Sequence, residues 1–318
     1  MESLQSRIEA DEIIIMDGGT GTEIQRRGVP VDRKTWSGAP TLTHPDVIRA
    51  IHEDYIRAGA EIVITNTFST DRATLEQAGL GDRTAEANQV AVRLAKEARE
   101  NVPSDRPVVI AGSMSTFQPQ MDPTEIPSYE AALADYREQA QLLAEAGVDL
   151  IVAEMIIRTL DARAAVEATL ETGLPIWVGY STVEHNGSQV LGLHGRAGNE
   201  GIREAVDSVK SMGVSALFSM HSLPEDTGPA LKVLKQNTSM PIGAYAHTVR
   251  ATAEELESVE WNKLRPTVYS ENAPATEEYL RFAQEWVGLG AQIIGGCCRT
   301  TPDHIKALKE GLLAKMPG

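Results

Sequence analysis

The sequence contains only two cysteines, and they are adjacent, at positions 297 and 298. A disulfide between them is not expected, because adjacent cysteines rarely meet the geometry of that bond. Nothing else in the sequence indicates an oxidising compartment, where disulfide-rich proteins are found. The two thiols are therefore expected to be reduced.

Basic residues are also few: 29 lysines and arginines stand against 45 aspartates and glutamates, which gives a formal net charge of −16. A nucleic-acid-binding surface would be basic, so that class of protein is not expected. No apolar run approaches the roughly 20 residues of a membrane span. Residues 1–12 are polar and lack the apolar centre of a secretory leader. We expect a cytoplasmic enzyme; the sequence does not decide between a monomer and a homo-oligomer.

Short apolar runs are present in a regular series, and each is followed by glycine or polar residues. They lie at 13–16, 62–68, 108–114, 150–155, 175–181, 216–221, 241–247 and 292–294. Segments with helical spacing separate or follow them, at 46–58, 85–100, 129–146, 161–172, 199–212, 226–236, 275–289 and 305–314. Eight strand–helix units without a linker predict one α/β domain over residues 1–318, a (β/α)8 TIM barrel. Two long loops, at 115–127 and 248–274, are predicted beside it.

The active sites of such barrels lie at the C-terminal ends of the strands. In this sequence, side chains that can bind a substrate or a metal ion stand at those ends. They are Asp17, Asn66, Glu154, His221, His247, Cys297 and Cys298. The predicted fold therefore places all of them around one mouth.

The two thiols and one imidazole of this set suit a zinc ion with its fourth position open. Adjacent strand residues point to opposite faces, so Cys297 and Cys298 converge only if the strand end curls, which Gly295 and Gly296 permit. Zinc could then hold a substrate thiol as its thiolate near neutral pH. The alternative, two cysteines that pack as small apolar side chains, stays open.

Asp17 and Glu154 are carboxylates at strand ends, and they could hold the ammonium group of an amino-acid substrate. The alternative for Asp17 is that it caps a turn in which Gly18 and Gly19 take positive φ angles. The alternative for Glu154 is a neighbouring arginine, because a buried carboxylate needs a partner.

Three stretches resemble the homocysteine S-methyltransferase family, zinc-dependent barrels that transfer methyl groups from S-methylmethionine, betaine or methylfolate. They are Met16 to Glu23, Tyr55 to Glu61 with Thr65 to Phe68, and the Gly-Gly-Cys-Cys sequence Gly295 to Cys298 with Thr300 to Ile305. The resemblance implies zinc bound by Cys297 and Cys298. It also implies an amino-acid site formed by Asp17, Gly18 and Glu154. Asn66, at the end of the neighbouring strand, is a further candidate for substrate binding.

The sequence departs from the family pattern at four places around the predicted mouth. His221 stands where the family has a third zinc cysteine, and Arg299 stands where a glycine usually follows the cysteine pair. A guanidinium there could bind a substrate carboxylate. Ser113 to Phe117 replaces a Gly-Pro-Tyr-Gly pattern, and Ala246 with His247 replaces Pro-Asn. These changes indicate an altered substrate, an altered metal set, or both.

Three functions are compatible with these features. The first is a zinc-dependent methyltransferase from a small sulfonium or ammonium donor to a thiol, with homocysteine as the first candidate acceptor. A diffusible donor is expected, because the length leaves no room for folate or cobalamin modules. The second is a metal-dependent lyase or hydrolase that uses His221, His247 and a cysteine. The third is a non-catalytic binder of small molecules.

Overall fold

The computed structural model describes residues 2–31, 34–115, 127–193, 196–249 and 275–313. Its main sheet has eight parallel strands. In chain order they are β1 (Ile14–Ile15), β2 (Ile62–Ile64), β3 (Val109–Ser115), β4 (Leu150–Ile156), β5 (Ile176–Tyr180), β9 (Ala216–Met220), β10 (Ile242–Tyr245) and β11 (Ala291–Ile294). A smaller sheet contains β6 (Thr182–His185), β7 (Ser188–Leu193) and β8 (Arg196–Gly201).

The main sheet closes into a barrel. Its strand order is β1-β11-β10-β9-β5-β4-β3-β2, and a parallel bridge between Met16 and Ile62 joins the two ends. Every strand of this sheet pairs in parallel with its neighbours, as repeated strand–helix units require. The predicted (β/α)8 barrel is confirmed.

Helices follow the strands and surround the barrel, except the first helix, which precedes β1. They are α1 (Glu2–Glu9), α2 (Thr20–Arg26), α3 (Gly38–Thr43), α4 (Pro45–Ala58), α5 (Arg72–Gln77), α6 (Thr84–Asn101), α7 (Tyr129–Ala146), α8 (Thr159–Leu170), α9 (Ile202–Val209), α10 (Pro224–Asn237), α11 (Thr276–Gly288) and α12 (Pro302–Leu313). No helix in these ranges combines the length and the apolar character that crossing a membrane requires.

Two apolar clusters form the core. One lies between the barrel and the outer helices, and it contains residues such as Ile51, Ile110 and Leu231. The other fills the barrel interior and includes Leu4 and Ile8 of α1, so this helix packs against the interior cluster. Because each strand is covered on both faces, its residues are apolar almost without interruption.

The predicted helix at 199–212 was wrong at its start. Residues Arg196–Gly201 form strand β8, and helix α9 begins only at Ile202. The sequence reading also missed β6 and β7, which join at a tight turn where Asn186 and Gly187 both have positive φ. Such a turn fits the twist of paired antiparallel strands.

Several predicted strands are shorter than expected, and their last residues lie in turns instead. His221 follows β9, and His247 lies two residues beyond β10. Short helices that were not predicted, α2, α3 and α5, follow β1 and β2. Most of the two predicted long loops lies outside the described residues, at 116–126 and 250–274.

His52 on α4 gives the fold a sensitivity to acid. Its side chain is fully buried, and neither ring nitrogen has a hydrogen-bond partner in the described part of the chain. Burial lowers the pKa of His52 from 6.5 to about 4. The unfolded chain therefore gains a proton near pH 6.5 that the folded protein resists until about pH 4, and over that range the free energy of unfolding falls by up to about 3 kcal/mol.

We expect His52→Leu to reduce this loss by about 2 kcal/mol when urea unfolding near pH 7 is compared with unfolding near pH 4.5. The exposed His185, replaced by glutamine, provides the control, because its side chain is not buried in the folded protein. Equal acid sensitivity in the parent protein and in His52→Leu would contradict the assignment.

Candidate metal centre and substrate pocket

The two cysteines lie in a turn that follows β11. The Cys297 backbone N–H donates to Ala246 O at 3.0 Å, and the Thr300 N–H donates back to Cys297 O at 3.1 Å. The Thr300 hydroxyl also donates to Cys297 O, at 2.6 Å. This turn brings the two Sγ atoms to 3.9 Å from each other, so the predicted curl of the strand end is present.

Glycines at the end of β1 make room for this turn. A Cβ at Gly19 would lie 2.5 Å from Cys297 O, and a Cβ at Gly18 would lie 2.8 Å from the Thr300 hydroxyl. Neither glycine has a positive φ, so close approach of the backbone explains both. The cysteine turn therefore packs directly on the end of β1, where Asp17 is located.

His221 completes the group from the end of β9. It has a φ of +47°, an uncommon backbone conformation for a histidine. The turn is held by neighbouring groups: the His221 N–H donates to Tyr245 O at 3.3 Å, and the Ser181 hydroxyl donates to His221 O at 3.1 Å. The imidazole Nδ1 lies 3.4 Å from Cys297 Sγ and 3.8 Å from Cys298 Sγ.

These separations match a tetrahedral zinc site. With usual zinc–sulfur and zinc–nitrogen bond lengths, tetrahedral ligands lie about 3.8 Å apart for two sulfurs and about 3.6 Å apart for sulfur and nitrogen. The observed separations are 3.9 Å between the sulfurs and 3.4 and 3.8 Å between nitrogen and sulfur. His221, Cys297 and Cys298 could hold a metal ion together. His247 is outside this group, although its ring centroid lies 4.7 Å from that of His221.

The two cysteine thiols shift each other's pKa. Cys297 Sγ donates to Cys298 Sγ, which lowers the pKa of Cys298 well below its usual value and raises the pKa of Cys297. The nearby His221 further favours the Cys298 thiolate. Because a metal ion binds the thiolate form of cysteine, ion binding at this site would release thiol protons. Both cysteines are partly exposed, so an ion can reach them.

Glu154 lies near the end of β4, buried and close to the metal group. The Ser113 hydroxyl donates to its carboxylate. Burial raises the pKa of Glu154 to about 7, and the Cys298 charge adds to the rise, whereas Ser113, Tyr245 and His221 oppose it. No ion pair joins Glu154 to an arginine within the described ranges, so the arginine alternative receives no support.

Asp17 faces the same pocket from β1. Its Oδ2 accepts the Ile64 N–H at 2.9 Å, and its side chain is 1% exposed. Burial raises the pKa of Asp17 well above its usual value, and the nearby Glu154 adds to the rise. Two buried carboxyl groups with raised pKa values form a site where a cation would bind favourably, because the cation would stabilise the ionised form of both groups.

Two further predicted residues have structural contacts. Asn66 donates both amide hydrogens, to Ser37 O at 2.8 Å and to the Thr41 hydroxyl at 2.9 Å, which leaves only its carbonyl oxygen for a ligand. Arg299 is buried beside the thiols, with its backbone N–H donating to the Thr22 hydroxyl at 2.8 Å. Its φ of +68° explains why a glycine could occupy this position easily. Substrate contacts of both residues stay predictions.

Sequence reasoning missed Tyr245 and the hydroxyl of Thr300. Both stand in apolar or turn stretches that gave no separate signal, and only the folded chain brings them to the pocket. Ser113 had been noted as a departure from a family pattern, but its contact with Glu154 depends on the pairing of β3 with β4.

The sequence profile named homocysteine S-methyltransferase matches residues 14–312 of this chain. The chain belongs to the homocysteine S-methyltransferase family. The predicted family is thereby confirmed, and the protein is a methyltransferase.

Relatives and solved structures agree with this family. Homocysteine S-methyltransferase 3 of Zea mays is 28% identical, with 94% of this chain and 90% of the relative covered. The selenocysteine methyltransferase of Astragalus bisulcatus is 27% identical, with 94% and 92% covered. The metallated form of the homocysteine methyltransferase MmuM from Escherichia coli superimposes with a TM-score of 0.77 at 26% identity, covering 96% of this chain and 98% of that chain.

Proposed function

We propose that this homocysteine S-methyltransferase family member moves a methyl group from a small sulfonium or ammonium donor to the sulfur of a thiol amino acid, with homocysteine as the first candidate acceptor. The observation that carries the proposal is the arrangement of His221, Cys297 and Cys298 beside two buried carboxyl groups. The names of the maize and Astragalus relatives point to amino acids with a nucleophilic sulfur or selenium atom.

Zinc is the proposed ion, held by the Nδ1 atom of His221 and the Sγ atoms of Cys297 and Cys298. The separations of the three ligand atoms support this choice, and sulfur ligands favour zinc over magnesium or calcium. Zinc in this position would lower the pKa of an incoming thiol, so that its sulfur is nucleophilic near neutral pH.

The carboxyl groups of Asp17 and Glu154 would bind the ammonium group of the acceptor, and the guanidinium of Arg299 would bind its carboxylate. These contacts fix both ends of the amino acid while its sulfur points to the ligand group. In the reaction, the acceptor sulfur forms a bond to the methyl carbon as the donor's bond to that carbon breaks. The electron pair leaves with the donor, which becomes a neutral thioether or amine, and the thiol proton goes to solvent. Alignment of the two substrates would supply much of the rate.

Metal analysis and a methyl-transfer assay test this proposal together. The protein should bind about one zinc per chain and should methylate homocysteine with S-methylmethionine or betaine as the donor. An acceptor without the amino group, 4-mercaptobutanoate, should react with a much higher KM, because Asp17 and Glu154 lose their partner. A protein that binds no zinc and methylates no thiol would contradict the proposal.

The affinity for the acceptor should fall as the solution is acidified from about pH 8 to about pH 6. The reason is that the pKa of Glu154 is about 7 in the empty pocket, so at lower pH the carboxyl takes up a proton that the bound ammonium would have to displace. Near pH 8, Glu154→Gln should raise the KM of the acceptor by about thirtyfold or more. A thirtyfold change corresponds to about 2 kcal/mol, a usual size for a buried charged contact. The KM should also depend less on pH in this variant.

Glu61→Gln is the matched control, because Glu61 is equally buried but pairs with Arg7 and Arg106 at the opposite end of the barrel. It should reduce stability and leave the KM unchanged. An unchanged KM in Glu154→Gln would remove Glu154 from the acceptor site.

A further inference from the structure

Tyr245, the last residue of β10, places a hydroxyl inside the barrel mouth. Its side chain is 1% exposed, and its ring packs edge-on against Phe218 at 5.5 Å between centroids. The hydroxyl has no hydrogen-bond partner within the described ranges of the chain. A buried hydroxyl without a partner costs free energy that a phenylalanine would not cost, so its presence calls for an explanation.

The barrel makes specific room for this hydroxyl. Tyr245 pairs in register with Met220 on β9, and Gly179 lies on β5, the next strand around the barrel. A Cβ at Gly179 would lie 2.7 Å from the Tyr245 hydroxyl and 2.7 Å from Met220 Cγ. Because Gly179 has no side chain, the phenol can extend across β9 and reach β5.

Beyond β5 lies β4, which carries Glu154. The Tyr245 hydroxyl comes near enough to lower the pKa of Glu154, and the carboxylate in turn raises the pKa of Tyr245. The two groups do not meet the geometry of a hydrogen bond in this structure. Contacts of this kind in active sites often become short only when a substrate is bound.

Glu154 already has one partner, the Ser113 hydroxyl on its Oε2 atom. The β4 backbone changes direction directly after it: Met155 has a φ of +53°, and its N–H donates to Met220 Sδ at 3.0 Å. Ser113 of β3 contacts this carboxyl group, and Tyr245 of β10 approaches it. Tyr245 is the one whose contact is still open.

We propose that Tyr245 is a positioning residue for the acceptor: when the ammonium group binds, its hydroxyl closes a hydrogen bond to Glu154 and holds the carboxylate in the orientation that receives this cation. The inference rests on the proposed role of Glu154 in acceptor binding. A hydrogen bond to an ionised carboxylate is stronger than one to a neutral group, so a cation bound beside Glu154 favours this contact. Ser113 and Tyr245 then hold the carboxylate from two strands, while its remaining lone pairs face the substrate.

The test compares Tyr245→Phe with the parent protein, using homocysteine and 4-mercaptobutanoate as acceptors. We expect the KM of homocysteine to rise by about tenfold, the usual size for a hydrogen bond to a charged group, while the KM of the methyl donor and the zinc content stay unchanged. With 4-mercaptobutanoate, which has no ammonium group, the two proteins should have the same KM. The melting temperature of the empty variant should stay the same or rise, because the replaced hydroxyl had no partner.

Tyr180→Phe is the matched control. Tyr180 is an equally buried tyrosine on β5, but its hydroxyl donates to Ala205 O at 3.1 Å on the helix side of the barrel. This variant should melt at a temperature lower by about 2 °C and keep the parent KM for homocysteine.

Every other outcome contradicts the proposed role of Tyr245. An unchanged KM in Tyr245→Phe, while the parent protein methylates homocysteine, overturns the role of Tyr245 and leaves the proposed function intact. An equal rise of the KM for both acceptors shows that Tyr245 does not act through the ammonium contact. A parent protein that methylates no thiol overturns the proposed function and the role of Tyr245 together.

Discussion

Replacing Cys298 with serine should yield a folded protein that no longer retains zinc, and the kcat/KM for methyl transfer should fall more than about a hundredfold. Changes in groups that merely support metal ligands already cost 10- to 100-fold in affinity or activity, so the loss of a ligand should cost more. Cys298 is the sulfur whose pKa is lowered by its neighbours, Cys297 and His221. A serine hydroxyl in the same place keeps its proton near neutral pH and is a poor zinc ligand.

Zinc content after dialysis and the rate of methyl transfer measure this effect, and cobalt in place of zinc reports the number of thiolate ligands by its charge-transfer absorption. Cys297→Ser should behave in the same way, because the two sulfurs lie 3.9 Å apart in one group. The melting temperature of the metal-free variant should match that of the metal-free parent. A Cys298→Ser protein that retains zinc and activity would rule out the proposed ligand set.

The barrel fold could be predicted from the sequence alone, because its strands and helices carry clear local signals. Strands such as β4 are buried on both faces, so they appear as unbroken apolar runs. Helices such as α4 have clear periodicity and end at a glycine, Gly59, with a φ of +110°. These local signals do not depend on the rest of the fold.

The small antiparallel sheet was missed for the opposite reason. Strands β6 and β7 are only partly buried and β8 is mostly exposed, so none of them contains a long apolar run. The pair Asn186 and Gly187 was the available signal, since this dipeptide is typical of a two-residue hairpin turn. The start of α9 was placed too early because β8 was read as part of the helix.

The site was partly predictable. Residues at the ends of predicted strands could be identified because strand ends in a parallel barrel meet at one face, and this brings His221 to the two cysteines. Contacts that cross the barrel could not be identified in the same way. A tyrosine in an apolar strand is usually a core residue. Only the folded chain, in which Gly179 leaves room for the phenol, brings the Tyr245 hydroxyl near Glu154.

His221 is one of the positions at which this chain departs from the family pattern, and its replacement tests whether it is the third metal ligand. If it is the third ligand, His221→Ala should lose zinc and reduce kcat/KM more than about a hundredfold. His221→Cys should retain zinc, because a cysteine here would recreate the three-sulfur set that the family resemblance implies. The third thiolate would add one negative charge, so we expect the KM of the thiol acceptor to rise in His221→Cys.

His247→Gln is the matched control, because His247 is a buried histidine whose ring lies 4.7 Å from that of His221 but outside the ligand group. It should keep about one zinc per chain. Zinc retained by His221→Ala but lost from His247→Gln would reverse the two assignments. Zinc lost from His221→Cys as well as from His221→Ala would instead show that the turn held by Ser181 and Tyr245, with its φ of +47°, requires an imidazole to reach the ion. If His221→Cys retains zinc and His221→Ala loses it, position 221 is the one that sets the charge of the metal centre.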